Sequence, residues 1–360
     1  MNIDLVNYTR NYDCFSGLSM YVNNPFLFKE GELLPLNTFL ELEPELNADF
    51  FPGQLDLYER EGSVLALPAS QELSTLTYNI DLLNKLGVAF PTNDWSVDEF
   101  LNLINAVSVK STVTQEVFGY AMVSDRLLLA SKGIGIETAI PDFQFNSGKT
   151  ISTATWLKDL VEGNIVVRNS TDDPNRVAAL VAAGQVAIWD SAFNGWFFNG
   201  HDPGFLTGEV AIPFTSTPLS VNPGGLAYYI SSQASDPKAC WDWISFLSSQ
   251  PATSIYWPVR HSITSSEEWK TLVGSEAIEL FTAMQERELA FETMSPQQQT
   301  QQKIWVEAMK AIYKGSPAKT VLADAQKQYD DYLNCMQMNL PPDANNDQIS
   351  KISEVCYMGE

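Results

Sequence analysis

The chain has 360 residues, 45% hydrophobic and 18% charged, which suffices for two domains with a sizeable core and excludes a disordered polypeptide. Lys+Arg number 21 against 44 Asp+Glu, a formal net charge of -23. Acidity of this size repels phosphate backbones and anionic bilayers, so neither nucleic acid nor an anionic membrane is expected as a partner. No apolar run approaches the ~20 residues of a membrane span, and the opening MNIDLVNYTRNYD has no basic stretch before an apolar one, so no signal peptide is read in this chain.

In chain order, Ile3–Thr9 alternates and predicts a strand, followed by a polar loop, Arg10–Gly17, that bears Asp13 and Phe15. Ligands of α/β sheets sit beyond the carboxyl ends of strands, which makes that loop a cleft candidate. Pro25–Phe51 contains LLPLNTFLE, an apolar run leading into a packing helix. The stretch Gly62–Gly87 carries two apolar runs, Val64–Pro68 and Leu73–Tyr78, around a polar turn, Ala69–Glu72. A helical segment, Asn79–Leu86, then stops at Gly87, a natural residue just past a helix end. A strand that breaks, bends and restarts is what a chain needs to cross between two lobes, and the polar atoms at the break face a cleft.

Farther along, Ser96 and Glu99 form a capping box before the apolar face of Phe100, Leu103, Ile104 and Val107, with Trp95 stapling the helix. Phe118–Ser124 predicts a strand holding Tyr120, and Leu127–Ser131 starts a helix. Ile151–Leu160 is helical with Trp156 in the core, and Pro174 opens a helix, Asn175–Ala183, that Gly184 ends. Gln185–Asp190 is a strand, and SAFNGWFFNG (Ser191–Gly200) follows as a loop or helix start rich in small residues and aromatics, Trp196 among them, with Asp190 and Asn194 near the same rim. Val210–Phe214 is a strand, Leu219–Gly225 a turn, and Leu226–Ile230 a second crossing strand. In the helix Ser235–Ser249 the spacing of Cys240, Trp243, Ile244 and Leu247 places Trp243 in the core. The loop YWPVRH, Tyr256–His261, returns to the first lobe's edge with Trp257 and Arg260. Ser275–Ala290 is helical, the Gln-rich Pro296–Gln302 reads as a solvated loop, and the helices Lys303–Tyr313, with Trp305, and Ala318–Leu333 close the regular structure.

Catalytic signatures are missing: there is no GxSxG, HExxH, P-loop or GxGxxG, and two histidines leave little scope for acid–base triads. We expect no enzyme and no cofactor. His201 and His261 are the only imidazoles and no CxxC occurs, so no metal site is expected. Cys335 and Cys356 bracket a Pro/Asn/Asp-rich loop that is either a disulfide-closed appendix or holds two free thiols. Cys14 and Cys240 either pair across the first lobe or are two small buried hydrophobes.

The pattern ALP…L.YN.DLL.K.G within Gly62–Gly87 resembles the crossover segment of bacterial extracellular solute-binding proteins of the first sugar-binding family, the ligand-capturing parts of ABC importers. The Gly-ended helix and strand of Ala178–Trp196, the Gly224–Ser231 run before a Trp-rich helix, and the Trp305 helix fit the same family in the same order. The family's first strand–helix–strand unit has no counterpart at the start of this chain. The resemblance implies an α/β protein of the two-lobe type II periplasmic binding architecture with hinge crossovers. Residues 1–72 plus 226–287 would form the first lobe, 73–225 plus 288–334 the second, and 335–360 a C-terminal appendix. It also implies ligand contacts for Asp13 and Glu72 as acids and for Tyr120, Trp196 and Trp305 as stacking rings. Phe15, Trp257, Arg260 and Gly225 join them by position, Gly225 bringing backbone near ligand or serving as a hinge. The expected function is capture of a sugar or oligosaccharide for an ABC permease outside the cytoplasm, periplasmic or at the cell surface, with or without a lipid anchor. A polyamine or other small polar solute, or a structural protein that kept the fold without its pocket, are the alternatives.

Overall fold

The computed structural model describes residues 9–18, 31–71, 75–113, 116–135, 143–169, 173, 175–199, 201–215, 219–221, 225–253, 257–285, 287, 289–291, 295–341, 344 and 346–358. The chain divides into two compact units, Met1–Leu73 with Val221–Phe281 and Phe291–Thr293, and Ser74–Ser220 with Thr282–Ala290 and Met294–Glu360.

In the first unit, the strand Leu226–Ile230 lies between Cys14–Leu18 and Leu67–Pro68, antiparallel to both. Successive side chains of a strand point to opposite faces. Ala227 and Tyr229 enter a cluster with Leu33, Tyr58 and Ala66, whereas Tyr228 and Ile230 pack with Leu36, Leu40, Trp241, Ile244 and Val259. The sheet is therefore covered on both sides. A helix, Pro237–Ser248, supplies much of the second cover; Asp236 caps it by accepting the Ala239 N–H. Its buried residues are Cys240, Trp241, Ile244 and Ser248, while Trp243 is 55% exposed and stacks on Phe246. The core role expected of Trp243 is thus corrected: at 100° per residue it projects about 115° away from the centre of that face. The neighbouring Trp241 is buried instead and donates its Nε1 proton to Glu43. Cys14 and Cys240 are bonded, tying the edge strand to this helix across 226 positions. The polar loop expected over Arg10–Gly17 contains most of that edge strand, since Phe15 to Gly17 pair with Tyr229 to Ala227. The strand expected over Ile3–Thr9 lies, apart from Thr9, outside the described residues.

The second unit holds a five-stranded sheet in the order Thr207–Ala211, Thr75–Asn79, Val186–Asp190, Phe118–Met122, Val166–Arg168. Phe118–Met122 runs parallel to both Val166–Arg168 and Val186–Asp190, and Thr75–Asn79 runs antiparallel to its two neighbours. The helix Val97–Ser108 starts with the Ser96/Glu99 capping box and buries Phe100, Leu103, Ile104 and Val107. Gly119 lets it seat closely, because a Cβ there would meet the Ile104 carbonyl oxygen at 2.3 Å. The Gln-rich stretch is helical, not a solvated loop. Ser295 and Gln298 form a second capping box, Pro296 occupies the first turn, and the helix runs Pro296–Tyr313. Ala318–Asn339 and Asn346–Met358 pack beside it, with the Tyr332 hydroxyl 2.8 Å from the Ser353 hydroxyl. The Cys335–Cys356 bond joins these last two helices, so the C-terminal segment is helical and grouped with the second unit.

Candidate functional site

The strands of the second unit bring polar residues to one edge. Phe118–Met122, Val166–Arg168 and Val186–Asp190 are mutually parallel, so their carboxyl ends lie together. That is the edge at which open α/β sheets hold ligands. Ser124, Asp125 and Arg126 follow the first strand and open the helix Arg126–Ser131. Arg168 ends the second, and Asp190, Ser191 and Asn194 follow the third.

These side chains are held in place by specific partners. Arg126 donates from Nε to the Ser124 hydroxyl at 3.3 Å. Asp190 accepts the Ala192 N–H at 3.0 Å, which turns the chain at the strand end. The carbonyl of Asn194 accepts from Trp189 Nε1 at 2.6 Å, its amide donates to the Thr77 hydroxyl at 3.0 Å, and Thr77 in turn contacts Ser191 at 2.9 Å. Asp125 accepts from Trp305 Nε1 at 2.6 Å. The Arg168 guanidinium lies 4.0 Å from the centre of the Tyr313 ring.

Electrostatics single out the same group. Burial pushes the Asp125 carboxyl above the usual carboxylate range, against the Trp305 hydrogen bond and the charges of Arg126 and Arg168. Burial raises Asp190 likewise, opposed by its Ala192 hydrogen bond and by Arg126. Desolvation lowers Arg168 and raises the Tyr313 phenol. Tyr120 is buried in the strand before Asp125, its phenol held protonated by burial and by the nearby Asp190. Clusters of half-buried groups with shifted protonation are typical of binding sites. Among the described residues, no group of three or more His, Cys, Asp or Glu could hold a metal ion.

The residues expected from sequence are placed differently. Tyr120 is 3% exposed and edge-on to Phe100, and Trp305 is 1% exposed. Neither ring offers a face for stacking; Trp305 acts instead through its indole N–H, as the anchor of Asp125. Arg260 is also corrected: it is buried, paired with Asp49 at 2.7 Å and bonded to Ser248 at 2.9 Å, so its donors serve the first unit's core. Asp13 is exposed and accepts the backbone N–H and hydroxyl of Ser235, a cap for the turn before Pro237–Ser248. Phe15 stacks on Tyr229 at 5.4 Å, and Trp257 on Phe281 at 5.3 Å, each with one ring face already covered. Gly225 has φ +143°, and a Cβ there would meet the Ser70 carbonyl oxygen at 2.1 Å, so its glycine is required by backbone packing. Glu72, Pro174, Gly224 and the Trp196 side chain lie outside the described residues. Asp125, Arg126, Arg168 and Tyr313 were missed by the sequence reading. The signal available was the polar Ser124–Arg126 step between a predicted strand and a predicted helix.

Comparison with known proteins agrees with this architecture. No curated protein matches the sequence. Among solved structures, an ABC substrate-binding protein from Listeria monocytogenes in complex with cycloalternan is similar with a TM-score of 0.65 and 14% identity, over 92% of this chain and 88% of that one. Maltose-bound MalE3 of T. maritima gives a TM-score of 0.63 and 16% identity, over 90% and 86%. UgpB from Mycobacterium tuberculosis, in complex with glycerophosphocholine, gives 0.66 and 14%, over 93% and 87%. At these identities the likeness shows the fold, the two-lobed α/β fold of periplasmic binding proteins. Among the described residues no helix is long and apolar enough to cross a membrane. The sequence profile described as bacterial extracellular solute-binding protein matches residues 19–277. The chain therefore belongs to the bacterial extracellular solute-binding proteins, a family of binders and not of enzymes.

Proposed function

We propose that this chain is the substrate-binding component of an ABC importer and captures a carbohydrate, with the second unit's strand-end cluster supplying the polar contacts. The observation that carries this reading is the mixture of charges there: Asp125 and Asp190 stand beside Arg126 and Arg168. Hydroxyl groups both donate and accept, so a polyol uses carboxylates and guanidiniums together. A polyamine needs acids without competing cations, which disfavours that alternative. Neighbours of the same fold hold cycloalternan and maltose, which supports a sugar or oligosaccharide as the ligand. The permease would be the membrane partner, and the protein would work outside the cytoplasm.

Isothermal titration with maltose, maltotriose and a panel of other sugars, and with spermidine as the contrast, tests the reading. At least one sugar should bind, and Asp190→Asn should weaken it roughly tenfold or more, the scale of one charge-assisted hydrogen bond. Binding of spermidine alone, or of nothing by a folded protein, would overturn it.

A further inference from the structure

Two groups of the strand-end cluster lack what they need. Arg168 is half-buried, and among the described residues its guanidinium makes no hydrogen bond or ion pair; its neighbour is the face of the Tyr313 ring. Among the described residues, the buried Tyr313 hydroxyl has no hydrogen-bond partner. The acid whose field Arg168 feels is Asp125, whose Oδ2 is already engaged by Trp305 Nε1. Arg126, by contrast, is bonded to Ser124 and lies in the field of both Asp125 and Asp190. A buried donor left unmade is costly, and a half-buried cation without a partner more so. Such groups in a folded protein call for an explanation, and two adjacent donors point to one acceptor. A guanidinium presents a planar fork that matches a carboxylate or phosphate, and the phenol adds an O–H donor from beside it.

Resting on the carbohydrate reading above, we propose that the ligand bears an anionic group, a carboxylate or a phosphate, and that Arg168 and Tyr313 receive it. The chain's net charge of -23 does not oppose this. Surface charges are screened over ~8 Å at physiological salt, so the groups touching the ligand decide.

The test is titration of the intact protein with glucuronate, glucose 1-phosphate and glucose, and with maltotriose as a longer neutral sugar. One of the two anions should bind at least tenfold tighter than glucose and maltotriose, and which one does so separates carboxylate from phosphate. Arg168→Gln should erase that preference. Tyr313→Phe, which keeps the ring under the guanidinium and removes only the hydroxyl, should reduce it severalfold at an unchanged melting temperature. Neutral sugars binding as tightly as the anions would overturn this inference and leave carbohydrate capture standing. A preference that survives both substitutions would overturn it as well. Failure of every sugar to bind the folded protein would overturn both.

Discussion

Trp305 offers the sharpest test of how the site is built. Its ring is 1% exposed and its Nε1 lies 2.6 Å from Asp125 Oδ2, 180 residues away in sequence. Replacing it with Phe keeps an aromatic ring in the core and deletes the donor. A hydrogen bond to a charged group contributes about 1.5–3 kcal/mol net. For a unit of this size each kcal/mol moves Tm by roughly 2–4 °C, so Trp305→Phe should lower the second unit's melting temperature by about 3–12 °C. Lost ring volume adds to that, so a double-mutant cycle with Asp125→Ala isolates the bond. Urea denaturation of the four proteins should return a coupling of about 1.5–3 kcal/mol. The pH dependence follows from the direction of the Asp125 shift. Its folded pKa is raised above the unfolded value by burial, so the fold binds the extra proton in the window between them. Stability associated with this group therefore rises as pH falls through the folded pKa, and Asp125→Asn should remove that dependence while keeping an acceptor for the indole. A coupling below about 0.5 kcal/mol, the level of plain additivity, would refute the reasoning. So would a Trp305→Phe protein with unchanged stability and lost sugar binding, since that would make the ring a ligand surface.

Two further outcomes follow, one from Gly225 and one from the two disulfides. Gly225→Ala should destabilise the first unit by about 3 kcal/mol or more, because positive φ costs roughly 1–2 kcal/mol and the new Cβ would meet the Ser70 carbonyl at 2.1 Å; a denaturation midpoint within error of the parent would contradict this. Cys14→Ser with Cys240→Ser should cost more than Cys335→Ser with Cys356→Ser, because the closed loops differ, 226 against 21 positions. The chain-entropy relation assigns about 5 and about 3 kcal/mol respectively, and equal losses in parallel urea curves would count against it.

Much of the framework was legible in the chain because its signals are local. The Ser96/Glu99 box, the Gly87 stop and the apolar face of Val97–Ser108 depend on residues three or four apart, and each is present in the structure. Leu226–Ile230 was legible as a strand for the same reason. The Gln-rich stretch shows the limit of composition. Polar residues suggested a loop, but the cap at Ser295 and Pro296 starts a helix whose buried face begins with the polar Thr300 and Gln301 and continues through Ile304 and Trp305. Trp243 shows the limit of periodicity: Trp241 and Trp243 lie on the same helix with compatible spacings, and only the position of the sheet decides which is inside.

The site was less legible than the frame. Sugars stack on aromatic rings, which makes loop and strand aromatics the natural candidates in a sequence, yet Tyr120 and Trp305 are committed to the core. The polar groups that do gather, Asp125, Arg126, Arg168 and Asp190, stand at the ends of three strands separated by long connections.

By itself, the sequence determined an α/β chain of this family, the helix caps, and the order in which its strands and helices follow. These rest on backbone preferences and on apolar spacing within one or two turns, which the chain carries in every conformation. Only the tertiary structure decided that Arg260 pairs with Asp49, 211 residues away, that Trp305 holds Asp125, and that Arg168 is left with the face of Tyr313. A charge or an indole N–H acquires its role from whatever the fold brings within about 3 Å of it, and that distance is not a property of neighbours along the chain.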